Sequence, residues 1–365
     1  MTQAGRRPRI LYVCGAKADY PRNDSLLAAL RAQADVTEIS SRFGSYALRL
    51  PSVILRFLLE SRKFDAVFIG FLAQPIVPFA ILRRRKPLVV DMFISLYETL
   101  ADDRGRVAPN SITARLASRL DGLACTRATM LLTDTPANAE YLTMNFGARA
   151  ADIAALFVGA NEQLFQPQPQ PPREPSDRLL VLYYSTYLPL HGVDVVVRAA
   201  KLLEKDDVEF RLIGRGMERP RIDRLAAELA VRNCQFVDWT PYEQLPAEIA
   251  AAHVCLAGHF AAKNEKARRV IPGKAFQLLA MAKPTVLGES PATTAVFDHG
   301  RDSFLVPMGD PEALAGAIRL LRDDPKLRTS LGAAGRKLFV REFSSVTLAA
   351  KLGDVLAQVV PAESR

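Results

Sequence analysis

The chain has 365 residues, 49% of them hydrophobic and 24% charged, with four cysteines and one tryptophan. That composition excludes a disordered, fibrous or disulfide-stapled protein, and at ~100–200 residues per domain the length predicts two domains. The net charge of +9 leans towards the first half and suits an anionic partner, whether nucleic acid, a phosphate ligand or an acidic membrane.

Ten strands alternate with helical patterns from end to end, which predicts α/β domains built on parallel sheets. In the first half they fall at 9–14, 34–39, 65–70, 87–92 and 129–133, and in the second at 178–184, 208–213, 234–237, 253–257 and 284–288. Helical stretches are expected at 24–32, 193–203, 217–229 and 311–322. The proline-rich run from Gln166 to Pro175 reads as an extended linker. The expected division is an N-terminal domain 1–165, a linker 166–177, a second domain 178–343 and a closing amphipathic helix within 344–365 that packs back on the first domain.

The first ten residues are polar and basic and lead directly into an apolar strand, so no signal peptide is expected, and no uncharged apolar run approaches the ~18 residues of a membrane span. Cys14, Cys125, Cys234 and Cys255 are scattered, with no metal-ligand spacing, which suits a reduced, cytosolic chain.

In an open α/β sheet, ligands bind at the C-terminal ends of strands, where helix N-termini offer free N–H groups. Four post-strand loops carry chemistry. Residues 15–24 place Asp19 and Arg22 to face a ligand or solvent. After the fourth strand, Asp91 and Glu98 are candidate bases or hydroxyl-orienting groups, the alternative being an N-cap or an ion pair with Arg104. His191 and Gly192 open a helix where a phosphate could be held, against a structural role for a lone histidine. Gly214 and Gly216 permit close approach of a ligand to the backbone.

The strongest electrostatic feature is Lys263 to Lys274, with cations at Lys263, Lys266, Arg268, Arg269 and Lys274. Read as the entry to a single helix, so many cations oppose the dipole unless an anion bridges them, as a diphosphate would; the alternative is a solvated basic loop. No D-x-D pair is present to hold a metal with such a diphosphate, and no Walker, G-x-S-x-G or H-E-x-x-H motif occurs. Residues 42–59 mix arginines with large apolar groups. They read either as a surface that docks on an anionic membrane, together with Arg83 to Lys86, or as a core-packed helix with a basic outer stripe.

The segments Gly159 to Pro167, Phe236 to Leu245 and Gly309 to Leu314, with Glu342-Phe343-Ser344, taken in order, resemble the retaining glycosyltransferases of family 4. Gly159 to Pro167 is similar to that family's G-v-D-x-x-x-F-x-P junction, Phe236 to Leu245 to its loop beside the nucleotide base, and Gly309 to Leu314 with Glu342-Phe343-Ser344 to its closing pattern. The resemblance implies a GT-B fold, two Rossmann-like α/β/α domains facing across a cleft, with the donor on the second domain and the acceptor on the first. It implies a nucleotide-sugar donor, UDP- or GDP-linked, with no metal and no separate cofactor, a glycan or lipid-linked acceptor, and no nucleic-acid partner. A cytoplasmic enzyme, peripheral on the inner face of the membrane, would fit.

The family's G-R-x-x-x-x-K-G is altered here: its Arg and Lys positions hold Thr186 and His191. Its two carboxylates fall on Arg269 and Gln277. The resemblance then gives the donor to Thr186, His191, Gly192, Gly214, Gly216, Trp239, Lys266, Arg268, Arg269, Lys274 and Gln277. It leaves Asp91, Glu98 and His191 as the catalytic candidates, and Asp19 and Arg22 on the acceptor side. These losses keep two rivals open, a catalytically degenerate GT-B binding module and a GT-B nucleotide-sugar epimerase.

Overall fold

The computed structural model describes residues 6–15, 21–43, 45–60, 64–82, 86–103, 107–171 and 178–360. The chain divides into two units, Met1–Val158 with Ser345–Arg365, and Gly159–Ser344. Among the described residues, no helix is long and apolar enough to cross a membrane.

Unit 1 is built on a six-stranded parallel sheet in the order β2-β1-β3-β4-β5-β6: β1 Arg9–Val13, β2 Asp35–Ile39, β3 Ala66–Ile69, β4 Leu88–Asp91, β5 Met130–Thr133 and β6 Ile153–Ala155. Successive residues of β1 serve opposite faces. Ile10 and Tyr12 join one buried cluster and Leu11 and Val13 another, so after the exposed Arg9 the strand is buried on both faces rather than alternating.

The helix Ser345–Val359 closes the first of these clusters. Its buried stripe of Leu348, Leu352, Val355, Leu356 and Val359 packs with Leu26, Leu27 and Leu30 of the helix Pro21–Gln33, and Gln33 Nε2 donates to the Ala349 carbonyl. Leu352→Ala is therefore expected to destabilise unit 1 by about 2–5 kcal/mol in a urea melt. A loss well below 1 kcal/mol would show that this helix does not share the core.

Unit 2 carries the order β12-β11-β10-β7-β8-β9, also parallel: β7 Leu179–Tyr184, β8 Val208–Ile213, β9 Cys234–Val237, β10 Val254–Gly258, β11 Thr285–Glu289 and β12 Phe304–Pro307. Renumbered within the unit this is 3-2-1-4-5-6, whose order reverses between β7 and β10, the place where such sheets bind ligands.

Two strands escape the sequence reading, β6 and β12. Both are edge strands. β6 is a half-buried Ile-Ala-Ala, poor in β-branched residues, and β12 ends in Pro307, which only an edge tolerates.

The stretch 42–59 corrects one expectation. It forms the helix Tyr46–Glu60, with Arg49 turned inward beside Val53 and Phe57, its guanidinium donating to the Phe43 carbonyl at 2.8 and 3.0 Å. The outer stripe is not basic but leucine, with Leu48, Leu55 and Leu59 exposed. Arg83 to Arg85 lie outside the described residues.

Candidate functional site

The β7 and β10 loops meet where the sheet order of unit 2 reverses. Past β7 the chain makes a short turn, Pro189–His191, and Gly192 opens the helix Val193–Leu202. Glycine is required at 192 because its φ is 63° and a Cβ there would stand 2.5 Å from the Phe260 carbonyl carbon. His191 Nδ1 accepts from the Leu188 N–H at 3.1 Å, which leaves the ring proton on Nε2. Burial, then the nearby Lys274 and His259, hold its pKa well below the usual imidazole range. His191 is thus a neutral ring that offers an Nε2 hydrogen-bond donor.

Past β10 comes His259, a residue the sequence reading passed over. Its ring stacks on His191 with centroids 5.6 Å apart, and its buried Nδ1 has no hydrogen-bond partner among the described residues. Burial and then Lys274 push its pKa down to about 3. The findable signal was its position at the end of the strand beside β7, where post-strand loops converge.

The basic run between Lys263 and Lys274 is not one helix entry. Asn264 caps a short helix, Glu265–Arg269, whose last turn holds Lys266, Arg268 and Arg269. Cations there agree with the helix dipole, so their grouping needs no anion to explain it. Lys266 is buried, Arg269 half-buried and Arg268 exposed. A second helix, Gly273–Ala280, starts after Pro272 and has no side-chain cap; Lys274 lies in its first turn.

Lys274 is the exception that carries the argument. Its Nζ is shut off from solvent with no hydrogen-bond partner among the described residues, 4.1 Å from the centre of the Tyr183 ring and 6.0 Å from that of Tyr184. Burial alone pushes its pKa down to about 7. Tyr183 also donates from its hydroxyl to the His191 carbonyl at 3.1 Å, which ties Lys274, Tyr183 and His191 into one cluster. One turn on, Gln277 accepts from the Tyr184 hydroxyl at 2.7 Å and donates to that of Tyr242 at 3.4 Å.

Gly214 and Gly216 owe their identity to the protein's own backbone. A Cβ at either would stand 1.8 or 1.9 Å from the carbonyl oxygens of Ser185 and Thr186 respectively. Thr186 is exposed. Trp239 is 58% exposed, with the Arg215 guanidinium 5.0 Å from its ring centre.

In unit 1, Arg22 and Asp91, both expected to face a ligand or a reacting group, face each other. Arg22 Nε and Nη2 donate to Asp91 Oδ2 and Oδ1 at 3.2 and 3.1 Å, and its remaining N–H groups reach the carbonyls of Thr133, Leu156 and Phe157. Both side chains are almost wholly buried. The pair joins residues 69 apart in sequence; Arg104, the alternative partner expected for a carboxylate here, lies outside the described residues, as does Asp19.

Glu98 is buried at the start of the turn Glu98–Asp103. Its loop is anchored by Asp121, another residue missed in the sequence, which accepts from the Ser95 hydroxyl and the Leu96 and Tyr97 N–H groups at 2.8–3.1 Å. Burial raises the Asp121 pKa to about 6 despite those bonds.

Residues 178–324 match the family described as Glycosyl transferases group 1. The matched stretch contains every unit 2 candidate from Thr186 to Gln277, His259 included, whereas Arg22, Asp91 and Glu98 fall outside it.

The chain shares its fold with a crystal structure of Anabaena Alr3699/HepE in complex with UDP and glucose, with a TM-score of 0.72 and 15% identity over 96% of this chain and 100% of that one. It likewise matches sucrose-phosphate synthase from Thermosynechococcus elongatus, with a TM-score of 0.74 and 17% identity over 97% and 99%. This is the GT-B fold, with two Rossmann-like α/β/α domains.

Over 184 residues the chain is 28% identical to the lipopolysaccharide core biosynthesis glycosyltransferase LpsD of Rhizobium meliloti, covering 48% of this chain and 50% of that protein. Over 226 residues it is 27% identical to a GDP-mannose-dependent alpha-(1-6)-phosphatidylinositol monomannoside mannosyltransferase of Mycolicibacterium smegmatis, 58% of each. The chain spans about half the length of the first curated relatives it matches.

Proposed function

We propose that this chain is a retaining, metal-independent glycosyltransferase that moves a sugar from a UDP- or GDP-linked donor to a glycan or lipid-linked acceptor in envelope polysaccharide or glycoconjugate synthesis. The observation that carries the reading is Lys274, a buried amine without an anionic or hydrogen-bonding partner among the described residues, beside two neutral histidines. A diphosphate supplies what that amine lacks. The relatives' names, which specify glycosyl transfer, and the UDP complex of a protein with the same fold support the choice of ligand.

In this reading, Lys274 and the free N–H groups opening the helices Val193–Leu202 and Gly273–Ala280 hold the diphosphate, with His191 Nε2–H as a neutral donor. As the bond between the sugar's anomeric carbon and the phosphate oxygen breaks, charge grows on that oxygen, and the Lys274 ammonium stabilises it. The acceptor hydroxyl attacks from the same face, its oxygen bonds to the anomeric carbon, and its proton passes to the departing phosphate. Gln277 orients the ribose, Lys266, Arg268 and Arg269 add positive potential, and Thr186 and Trp239 border the nucleotide. Asp91 is assigned to holding Arg22, and Glu98 remains the carboxylate proposed near the acceptor.

Because the chain has one tryptophan, its fluorescence reports on the base loop alone. Titration with UDP or GDP is expected to change Trp239 emission saturably and to be unaltered by EDTA. A response that requires added metal, or none with any nucleoside diphosphate, would defeat the reading. The product's anomeric configuration, read by NMR against that of the donor, tests retention. Donor conversion without any acceptor would instead identify an epimerase.

A further inference from the structure

The helix Tyr46–Glu60 of unit 1 is apolar on two opposite sides. Val53 and Phe57 face the core. Leu48, Leu55 and Leu59 recur at i, i+7 and i+11, which at ~100° per residue places them within about 40° of one another on the far side. They are 62%, 60% and 75% exposed, and Phe43 just before the helix is 52% exposed. Single exposed leucines are ordinary, but three on one stripe form a patch that calls for an occupant.

Charge selects that occupant. Between Glu38 and Glu60 the sequence has no carboxylate, while Arg42 and Arg56 are exposed beside the stripe. Arg56 also donates to the Ser40 carbonyl at 2.8 Å, which fixes its guanidinium at the helix flank. A second copy of the chain is a poor match. A symmetric pairing would set these arginines against their own images, and one helical stripe falls short of the ~800 Å² per partner that a stable interface buries. Leucines flanked by arginines and free of acids match the boundary of an anionic bilayer, where the side chains enter the acyl region and the guanidiniums meet lipid phosphates.

We propose that the outer stripe of Leu48, Leu55 and Leu59, with Arg42 and Arg56 at its flank, seats this chain on an anionic lipid surface. The proposal is independent of the donor site, which lies in the other unit.

The test is flotation of the full chain with phosphatidylcholine vesicles, with and without phosphatidylglycerol. The wild type is expected to float with the anionic vesicles and much less with the neutral ones. Leu48→Glu/Leu55→Glu/Leu59→Glu should lower the bound fraction about tenfold or more, and Arg42→Glu/Arg56→Glu should remove the preference for anionic lipid. A far-UV circular dichroism spectrum and a denaturant melt matching those of the wild type show that the variants are folded.

If the leucine variant fails to fold, a polarity-sensitive dye on Ser52→Cys, which lies on the same stripe, decides the matter. A blue shift on adding anionic vesicles supports the proposal, and an unchanged spectrum overturns it. Equal flotation of wild type and leucine variant overturns it as well. So would a concentration-dependent dimer, seen by light scattering and lost in the leucine variant, since it would give the stripe to a second copy.

Discussion

Lys274→Met is expected to weaken binding of a nucleoside diphosphate by tens- to thousands-fold, the equivalent of about 2–5 kcal/mol for loss of a buried charge partner. The same change should stabilise the unliganded protein, by about 1–3 kcal/mol, because it removes an amine that has lost water and found no partner among the described residues. Opposite signs on ligand affinity and on stability are what distinguish a residue kept for binding from one kept for packing.

The pH dependence follows from the direction of the shift. Lys274 titrates near 7 in the folded chain and at its ordinary value, 10.5, when unfolded. Between these values the unfolded state holds the extra proton, so the penalty is fully present below pH 7 and is relieved as pH rises towards 10.5. Stability of the free wild type should gain from this group across that window, and Lys274→Met should remove the gain. A bound diphosphate draws the proton back on, so binding above pH 7 should take up one proton and weaken as pH rises. Calorimetry in buffers of different ionisation enthalpy reads the uptake directly.

The second large effect belongs to Asp91. Asp91→Ala leaves the Arg22 guanidinium buried with its two best acceptors gone, and breaking such a pair from one side costs about 3–5 kcal/mol. Denaturant melts should show that loss, while Trp239 in unit 2 keeps its nucleotide affinity. Replacing both partners, as Arg22→Met/Asp91→Leu, should recover much of it, since no uncompensated charge remains. If Asp91 were instead a free catalytic base, Asp91→Ala would abolish turnover with an unchanged melting curve.

Much of the fold was legible because its strands are buried on both faces. Runs such as Leu179 to Tyr184 stay apolar over their whole length, as parallel strands covered by helices do. The edge strand Ile153–Ala155, only three residues long, half-buried and two-thirds alanine, lacks that signal and was not predicted. The candidate site was legible only in part. Gly192, His191 and Lys274 follow from the rule that ligands meet helix N-termini after strands. The cations of 263–274 were misjoined because Pro272 was not used as a break, although the residue before a proline disfavours helix. His259 and the Arg22–Asp91 pair depend on contacts between loops far apart in sequence, which no local pattern records.

The measurement that tests the central claim most directly is a crystal structure of the chain with a bound nucleoside diphosphate, grown in the presence of EDTA. The account predicts the diphosphate within hydrogen-bond distance of Lys274 Nζ, at the N-termini of the helices Val193–Leu202 and Gly273–Ala280, with His191 Nε2 turned towards it. A diphosphate seated elsewhere, with Lys274 still without a partner, would contradict it.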